Sequence, residues 1–334
     1  MHVVQLRREG VRRVGIVDDS KIQLLDASNG RTVYEFAMYA INHGRRLVSV
    51  LKDAKTSETL NYDEIHAGET EWRLLPSFDQ PHDTAHCMVS GTGLTHKASA
   101  ENRAAMHKVS AQQLTDSMRM YQMGLEGGKP ASGEIGVQPE WFYKGDGSIL
   151  RGHGDHLHVP SYGWDGGEEP EIAGVYLISP QGEPYRIGLT MANEFSDHQM
   201  EKKNYLYLAP SKLRNCSIGP ELVIGDLEFE DVPGKVKIVR NGSTVWTKDI
   251  WTGEKNMSYS VSNLEHHHFK YEAHRRPGDV HIHFFGADAF SFGDGVALES
   301  GDLMEVAFSG FGRPLRNRIQ IDAKPDLQVI IGQL

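Results

Sequence analysis

Two glutamates one residue apart, Glu169 and Glu171, flank Pro170 and open an apolar run from Ile172 to Ile178. If that run is a strand, side chains at i and i+2 point to one face, so both carboxylates meet on the same side. Two anions that close repel unless a cation sits between them. A hard divalent ion such as magnesium takes oxygen ligands and keeps water positions open. Glu194, in Met191-Ala192-Asn193-Glu194-Phe195-Ser196-Asp197-His198, can supply a third carboxylate. On residue type alone the plainer reading, solvated acids at strand ends, has the stronger claim.

Histidine is the second chemical signal. His156-Leu157-His158 and His281-Ile282-His283 are H-x-H pairs, and His266-His267-His268 adds a run. On a strand such a pair places both rings on one face, which suits a zinc or iron site in a cupin-like barrel. No pair comes with a third ligand at metal-site spacing, so surface or locally hydrogen-bonded rings are the expectation. A nucleophilic serine has no G-x-S-x-G to sit in. The two cysteines, Cys87 in a buried-strand pattern and Cys216 ahead of a Gly219-Pro220 turn, read as idle thiols. Gly127-Gly128-Lys129-Pro130 lacks the spacing and the Ser/Thr of a phosphate loop.

The elements that must position these residues are mostly strands. Many short β-rich segments separated by Gly, Pro, Asn and Asp favour an α+β, mostly β architecture. Val11–Asp18 and Lys21–Leu25 predict a hairpin turning at Asp18-Asp19-Ser20. Lys235–Arg240 and Ser243–Trp246 predict another around Asn241-Gly242, a pair that accepts the two positive φ values of a type I′ turn. Strands are also expected within 278–286 and 301–308. A helix is expected over Val33–Leu51. A second is expected over Ser99–Leu125, with an apolar stripe of Ala105, Val109, Leu114, Met118, Tyr121 and Leu125. Leu75–Pro81, with two prolines, reads as the connection between a small N-terminal domain, 1–78, and a larger one, 79–334.

Composition narrows the partners. At 334 residues the chain has room for roughly two domains. Its 35 Lys+Arg against 45 Asp+Glu leave a net charge of −10, which argues against nucleic acid or an anionic membrane as main partner. No apolar run reaches membrane-spanning length, and the charged start carries no signal-peptide core, so a cytoplasmic protein is the expectation.

Read in order along the chain, these segments resemble the fumarylacetoacetate hydrolase superfamily over roughly 75–320. Pro139-Glu140-Trp141-Phe142-Tyr143-Lys144 is similar to its aromatic strand ending in lysine, and Glu169-x-Glu171 to its E-x-E metal pair. Asn193-Glu194-Phe195-Ser196 is similar to its N-D-x-S segment, whose acid is the third ligand. A Gly219-Pro220 after a loop bearing Lys212, the Asn241-Gly242 turn, Pro277-Gly278-Asp279-Val280, Phe285-Gly286-Ala287-Asp288 and Ser300-Gly301-Asp302 follow in family order. The resemblance implies a mixed β-sandwich roll with a small N-terminal α/β domain, usually a homodimer. It also implies a magnesium ion, or manganese, on Glu169, Glu171 and Glu194, and a small 2-keto acid substrate.

Departures from the family's hydrolases bear on the reaction. Ser99 stands where their catalytic histidine falls, with His96 three residues earlier. His198 and Glu201 replace their arginine and glutamine. Gly91–His96, Trp141–Ser148 and Asn193–His198 together resemble a subgroup that includes dehydratases of 2-keto-3-deoxy-pentonates. That resemblance implies loss of water to give 2,5-dioxopentanoate. Glu201, His198, His96 and Lys144 would be the catalytic groups, and Ser99, Ser196, Asp197, Lys212 and Asp288 the substrate contacts. A hydrolase cleaving a 2,4-diketo-3-deoxy sugar acid to pyruvate and a hydroxy acid remains the alternative on the same metal site.

Overall fold

The computed structural model describes residues 1–106, 115–226 and 228–334. In chain order the elements are β1 (His2–Arg8), β2 (Val11–Asp18), β3 (Lys21–Leu25), α1 (Val33–Asn42), α2 (Leu47–Asp53), β4 (Lys55–Asn61), α3 (Tyr62–Ala67), β5 (Arg73–Leu74), β6 (Cys87–Gly91), α4 (Lys97–Met106), α5 (Asp116–Gly127), β7 (Phe142–Asp146), β8 (Leu150–Arg151), β9 (His156–Val159), β10 (Pro170–Ile178), β11 (Pro184–Asn193), α6 (His198–Lys203), α7 (Leu208–Lys212), β12 (Cys216–Val223), β13 (Val232–Arg240), β14 (Ser243–Thr252), α8 (Val261–Phe269), β15 (Val280–Phe284), β16 (Leu303–Phe308) and β17 (Leu315–Ile321).

Two mixed sheets result, so the chain is mostly strand, as its sequence predicts. The larger runs β4-β3-β2-β1-β12-β11-β10-β15-β6-β7, with β5 beside β1 and β8 beside β12; the smaller runs β14-β13-β16-β17-β9. β10 is buried along its whole length and serves two cores. Ala173, Val175 and Leu177 pack with Val14, Phe36 and Leu51 under α1 and α2. Ile172 packs with Val236, Val306 and Phe308 of the smaller sheet. Alternation with period two lets one strand face both layers. The N-terminal strands join the larger sheet directly, since β1 pairs antiparallel with β12.

Both predicted hairpins form, and Asn241 and Gly242 take φ of 51° and 80°. Three expectations fail. The helix over Val33–Leu51 is two helices, α1 and α2, parted where Gly44 adopts φ +60°. The helix over Ser99–Leu125 is not one apolar stripe. Thr115 caps a new helix by accepting from the Met118 N–H, and Ala105 and Leu125 are exposed. Val109 and Leu114 lie outside the described residues. Gly219-Pro220 is no turn but lies inside β12, where the pairing of that strand with β11 shifts register between Ile218 and Leu222. No helix among the described residues is long and apolar enough to cross a membrane.

Candidate metal and substrate site

The site lies where β10 and β11 begin and end side by side. Glu169 and Glu171 sit at the start of β10, and Pro170 pairs with Asn193 at the end of β11. The Glu194 N–H donates to the Glu169 carbonyl at 3.0 Å, which holds the two segments in register. Phe195 then adopts φ 50°, and this left-handed residue turns Glu194 and Ser196 toward the same point. One oxygen each from Glu169, Glu171 and Glu194 lies within 4.8 Å of the others, and all three residues are buried. Among the described residues this is the only group of acids, histidines or cysteines with metal-ligand spacing.

Two lysines share the charge. Lys212 ends α7, and its Nζ lies 2.6 Å from Glu169 Oε1, 2.6 Å from Glu194 Oε2, 2.9 Å from Ser196 Oγ and 3.3 Å from Glu201 Oε1. Lys144 lies 2.6 Å from Glu194 Oε1 and donates to the backbone carbonyls of Phe195 and Lys212. Burial would deprotonate Lys212, but Glu169, Glu194 and Glu201 outweigh it and hold its pKa well above the ordinary value. Burial likewise pushes Glu169 up, and Lys212 and His198 more than reverse this, leaving it ionised.

Glu171 is the exception. Its carboxyl takes one hydrogen bond, from the Gly286 N–H at 2.6 Å, and neither lysine touches it. Burial, then the charges of Glu194 and Glu169, push its pKa well above the carboxylate range. Three oxygens converge, and the protein's own cations compensate only two of the carboxylates. A hard divalent cation fits this donor set.

Around this centre the other predicted residues divide. His198 approaches Glu169 Oε1 at 3.2 Å through Nε2 and stacks on Phe290 at 4.6 Å, and its buried Nδ1 has no partner. Burial lowers its pKa, but Glu169 raises it further, to a net upward shift. Gly167 makes room for this ring, since a Cβ there would stand 2.5 Å from Nδ1. Glu201 accepts from Ser211 Oγ at 3.0 Å and lies 3.4 Å from Arg103 Nη2. Burial pushes it up, and Lys212 and Arg103 bring it below the ordinary value.

Asp197 turns inward. It caps α6 by accepting from Met200 N, and it also accepts from Trp164 N and Arg214 Nη2. Among the described residues no hydrogen bond or ion pair joins His96, Ser99 or Asp288 to the carboxylates. His96 donates from Nδ1 to Thr95 Oγ1, whose own proton goes to the Phe285 carbonyl, and its Nε2 accepts from Thr252 Oγ1. Burial lowers its pKa to about 3. Asp288 accepts from the Trp251 N–H.

Sequence reasoning missed Arg103. From α4 it donates to both oxygens of Glu140 at 2.9 Å, and Tyr205 donates to Glu140 at 2.6 Å. Gly93 admits this pair, since a Cβ there would meet Glu140 Oε2 at 1.8 Å. The signal was a lone arginine in a helix otherwise read for its apolar residues.

The H-x-H pair on β15 forms no metal site. The Trp141 indole donates to His268 Nδ1 at 3.1 Å, so His268 Nε2 carries the proton and donates to His281 Nδ1 at 2.9 Å. His283 is held between Ser90 and Thr92 hydroxyls, each at 2.9 Å. Burial lowers the pKa of His281 and of His283 to about 3. Both cysteines are buried, and burial pushes the Cys216 thiol up to about 12, which accords with idle thiols.

The fold is similar to that of several solved structures. A hexagonal crystal form of 2-keto-3-deoxyarabinonate dehydratase matches with a TM-score of 0.72 and 20% identity, over 97% of this chain and 100% of that one. 2-Keto-3-deoxy-D-arabinonate dehydratase complexed with magnesium and 2,5-dioxopentanoate matches with a TM-score of 0.70 and 19% identity, over the same shares. Fumarylacetoacetate hydrolase from psychrophilic Exiguobacterium antarcticum matches with a TM-score of 0.60 and 18% identity, over 96% and 100%. At these identities the likeness is one of fold, and it bears out the fold expected from the motifs. No protein-family model and no curated protein sequence matches.

Proposed function

We propose that this chain is a magnesium-dependent dehydratase that converts a 2-keto-3-deoxy-pentonate to 2,5-dioxopentanoate. The observation that carries the reading is the buried Glu169–Glu171–Glu194 group, in which Glu171 lacks a cationic partner. The likeness in fold to a dehydratase solved with magnesium and 2,5-dioxopentanoate supports it. Glu169, Glu171 and Glu194 would hold the ion. Such an ion polarises a 2-keto oxygen and its neighbouring carboxylate, which acidifies the protons on carbon 3.

The rest falls to the side chains. Glu201, kept ionised by Lys212 and Arg103, is the base of this reading and takes a carbon 3 proton. Lys212, 3.3 Å from Glu201, would turn an N–H from the carboxylates to the carbon 4 hydroxyl, which leaves as water with the proton that Glu201 took from carbon 3. A carbon 3–carbon 4 double bond results. Transfer of a proton from carbon 5 to carbon 3 then gives an enol between carbons 4 and 5, and its tautomerisation gives the aldehyde. His198 acts through Glu169, which it orients. The hydrolase alternative relied on His96 to activate water, and both nitrogens of that ring are occupied by threonines.

The test is incubation with magnesium and 2-keto-3-deoxy-arabonate, with products identified by mass and Glu171→Gln as control. One product lighter by a water, absent with the variant, is expected. Pyruvate release from the 2,4-diketo acid with no dehydration would overturn the reading in favour of the hydrolase.

A further inference from the structure

A cavity lies away from the carboxylates, between the N-terminal strands and the smaller sheet. It has a volume of about 600 Å³, within the range that holds a small metabolite. Its lining carries four arginines, Arg7, Arg73, Arg316 and Arg318, against one acid, Asp155. That sign is opposite to the chain's net charge of −10. Asp155 is turned to its own loop, where Oδ2 accepts from the Gly152 N–H at 2.8 Å. Arg316 is neutralised by Glu305 at 2.7 Å.

The other three arginines have no such partner. Among the described residues, Arg7, Arg73 and Arg318 make no ion pair with a carboxylate, although other arginines of the chain do. Arg73 donates to the Thr70 and Trp72 carbonyls and Arg318 to the Gly301 carbonyl. Their arrangement is costly by itself. Arg7 and Arg73 are direct cross-strand partners in the β1–β5 pair, and like charges placed opposite one another destabilise a sheet. Across the cavity Arg318 pairs in register with His156 of β9, which also lines it. The tilted rings of His66 and His153, with centroids 4.0 Å apart, also line it and hydrogen-bond to backbone groups.

We infer that this cavity is a binding site for a small phosphorylated metabolite carrying at least two negative charges, gripped by Arg7 and Arg73 on one wall and Arg318 on the other. A guanidinium meets phosphate oxygens with paired N–H donors, and three unneutralised arginines around one space exceed what a single monoanion requires. The inference does not depend on the reaction proposed above, because the cavity shares no residue with the carboxylate site.

The experiment is calorimetric titration of the full chain, freed of metal by chelator, with pyrophosphate at constant ionic strength. Inorganic phosphate and citrate are parallel probes. Binding by the unaltered chain is expected, at least tenfold tighter for pyrophosphate than for phosphate or citrate. Glu171→Gln should bind equally well, and Arg73→Gln/Arg318→Gln at least tenfold more weakly. Both arginines are exposed, so that double variant should fold, which its thermal unfolding checks; Arg73→Lys/Arg318→Lys should recover part of the affinity. Equal binding by the unaltered chain and the glutamine variant, loss of binding in Glu171→Gln, or no binding at all would overturn the inference. Citrate binding in place of pyrophosphate would overturn the phosphate assignment.

Discussion

The carboxylate–lysine site on β10 and β11 and the histidine cluster on β15 are both buried and both polar, and only one strand pairing separates them. They meet the cost of desolvation in opposite ways. At the carboxylates, full charges are kept and balanced by Lys144 and Lys212, and the balance stops short at Glu171. At the histidines no charge is kept. Trp141 donates to His268 and His268 to His281, and Ser90 and Thr92 hold His283. The neutral cluster is complete without a ligand, apart from the His281 Nε2, which has no partner. The charged one is not complete, since Glu171 keeps no cationic partner.

Acid should break the neutral cluster first. His96, His281 and His283 have folded pKa values of about 3, against about 6.5 in an unfolded chain. Between those values the unfolded chain binds more protons, so stability is whole above about pH 6.5 and is lost as pH falls toward 3. At pH 5 the loss is about 2 kcal/mol for each ring. Urea unfolding at pH 7.5 and pH 5 measures it, and equal midpoints would contradict neutral burial.

Glu194→Gln attacks the charged cluster. It takes a carboxylate from between Lys144 and Lys212 and leaves two buried ammonium groups undercompensated. The expected cost is about 3–5 kcal/mol in urea unfolding, with activity abolished. Magnesium sharpens the contrast. At a hundredfold excess over its dissociation constant it should raise the stability of the unaltered chain by about 2.7 kcal/mol. Glu171→Gln should gain nothing from magnesium, yet should be more stable than the metal-free unaltered chain, because it removes a repelled carboxyl. Thermal unfolding with and without chelator reads both. Smallest is Trp141→Phe, which deprives His268 Nδ1 of its donor at a cost of about 1 kcal/mol and should leave magnesium binding untouched.

The charged site was the more legible in sequence. Glu169-x-Glu171 obeys the two-residue period of a strand, and Glu194 sits where β11 ends opposite it, so local spacing carried most of the geometry. Arg103 was not legible, because its partners Glu140 and Glu201 are distant in sequence and meet it only through the packing of α4. The helix over Ser99–Leu125 was misread by pooling apolar residues across the cap at Thr115, a signal only its hydrogen bond to Met118 exposes. His96 was chosen by its place in a motif, and its contacts with Thr95 and Thr252, the latter far away in sequence, are ones the motif does not reveal.

One pairing described above bears on how these molecules stay apart. β12 is buried along its whole length, and on the flank away from β11 it pairs with β1 at Leu222 and Val223 and with β8 at Cys216 and Ser217. A chain in which β1 came away would leave the backbone at Leu222 and Val223, and the partner edge of β2, unpaired on apolar strands, an edge another copy can pair with. The first eight residues therefore double as a guard against sheet-to-sheet growth. Losing them should show as light scattering and polymer before it shows as a change at the carboxylates.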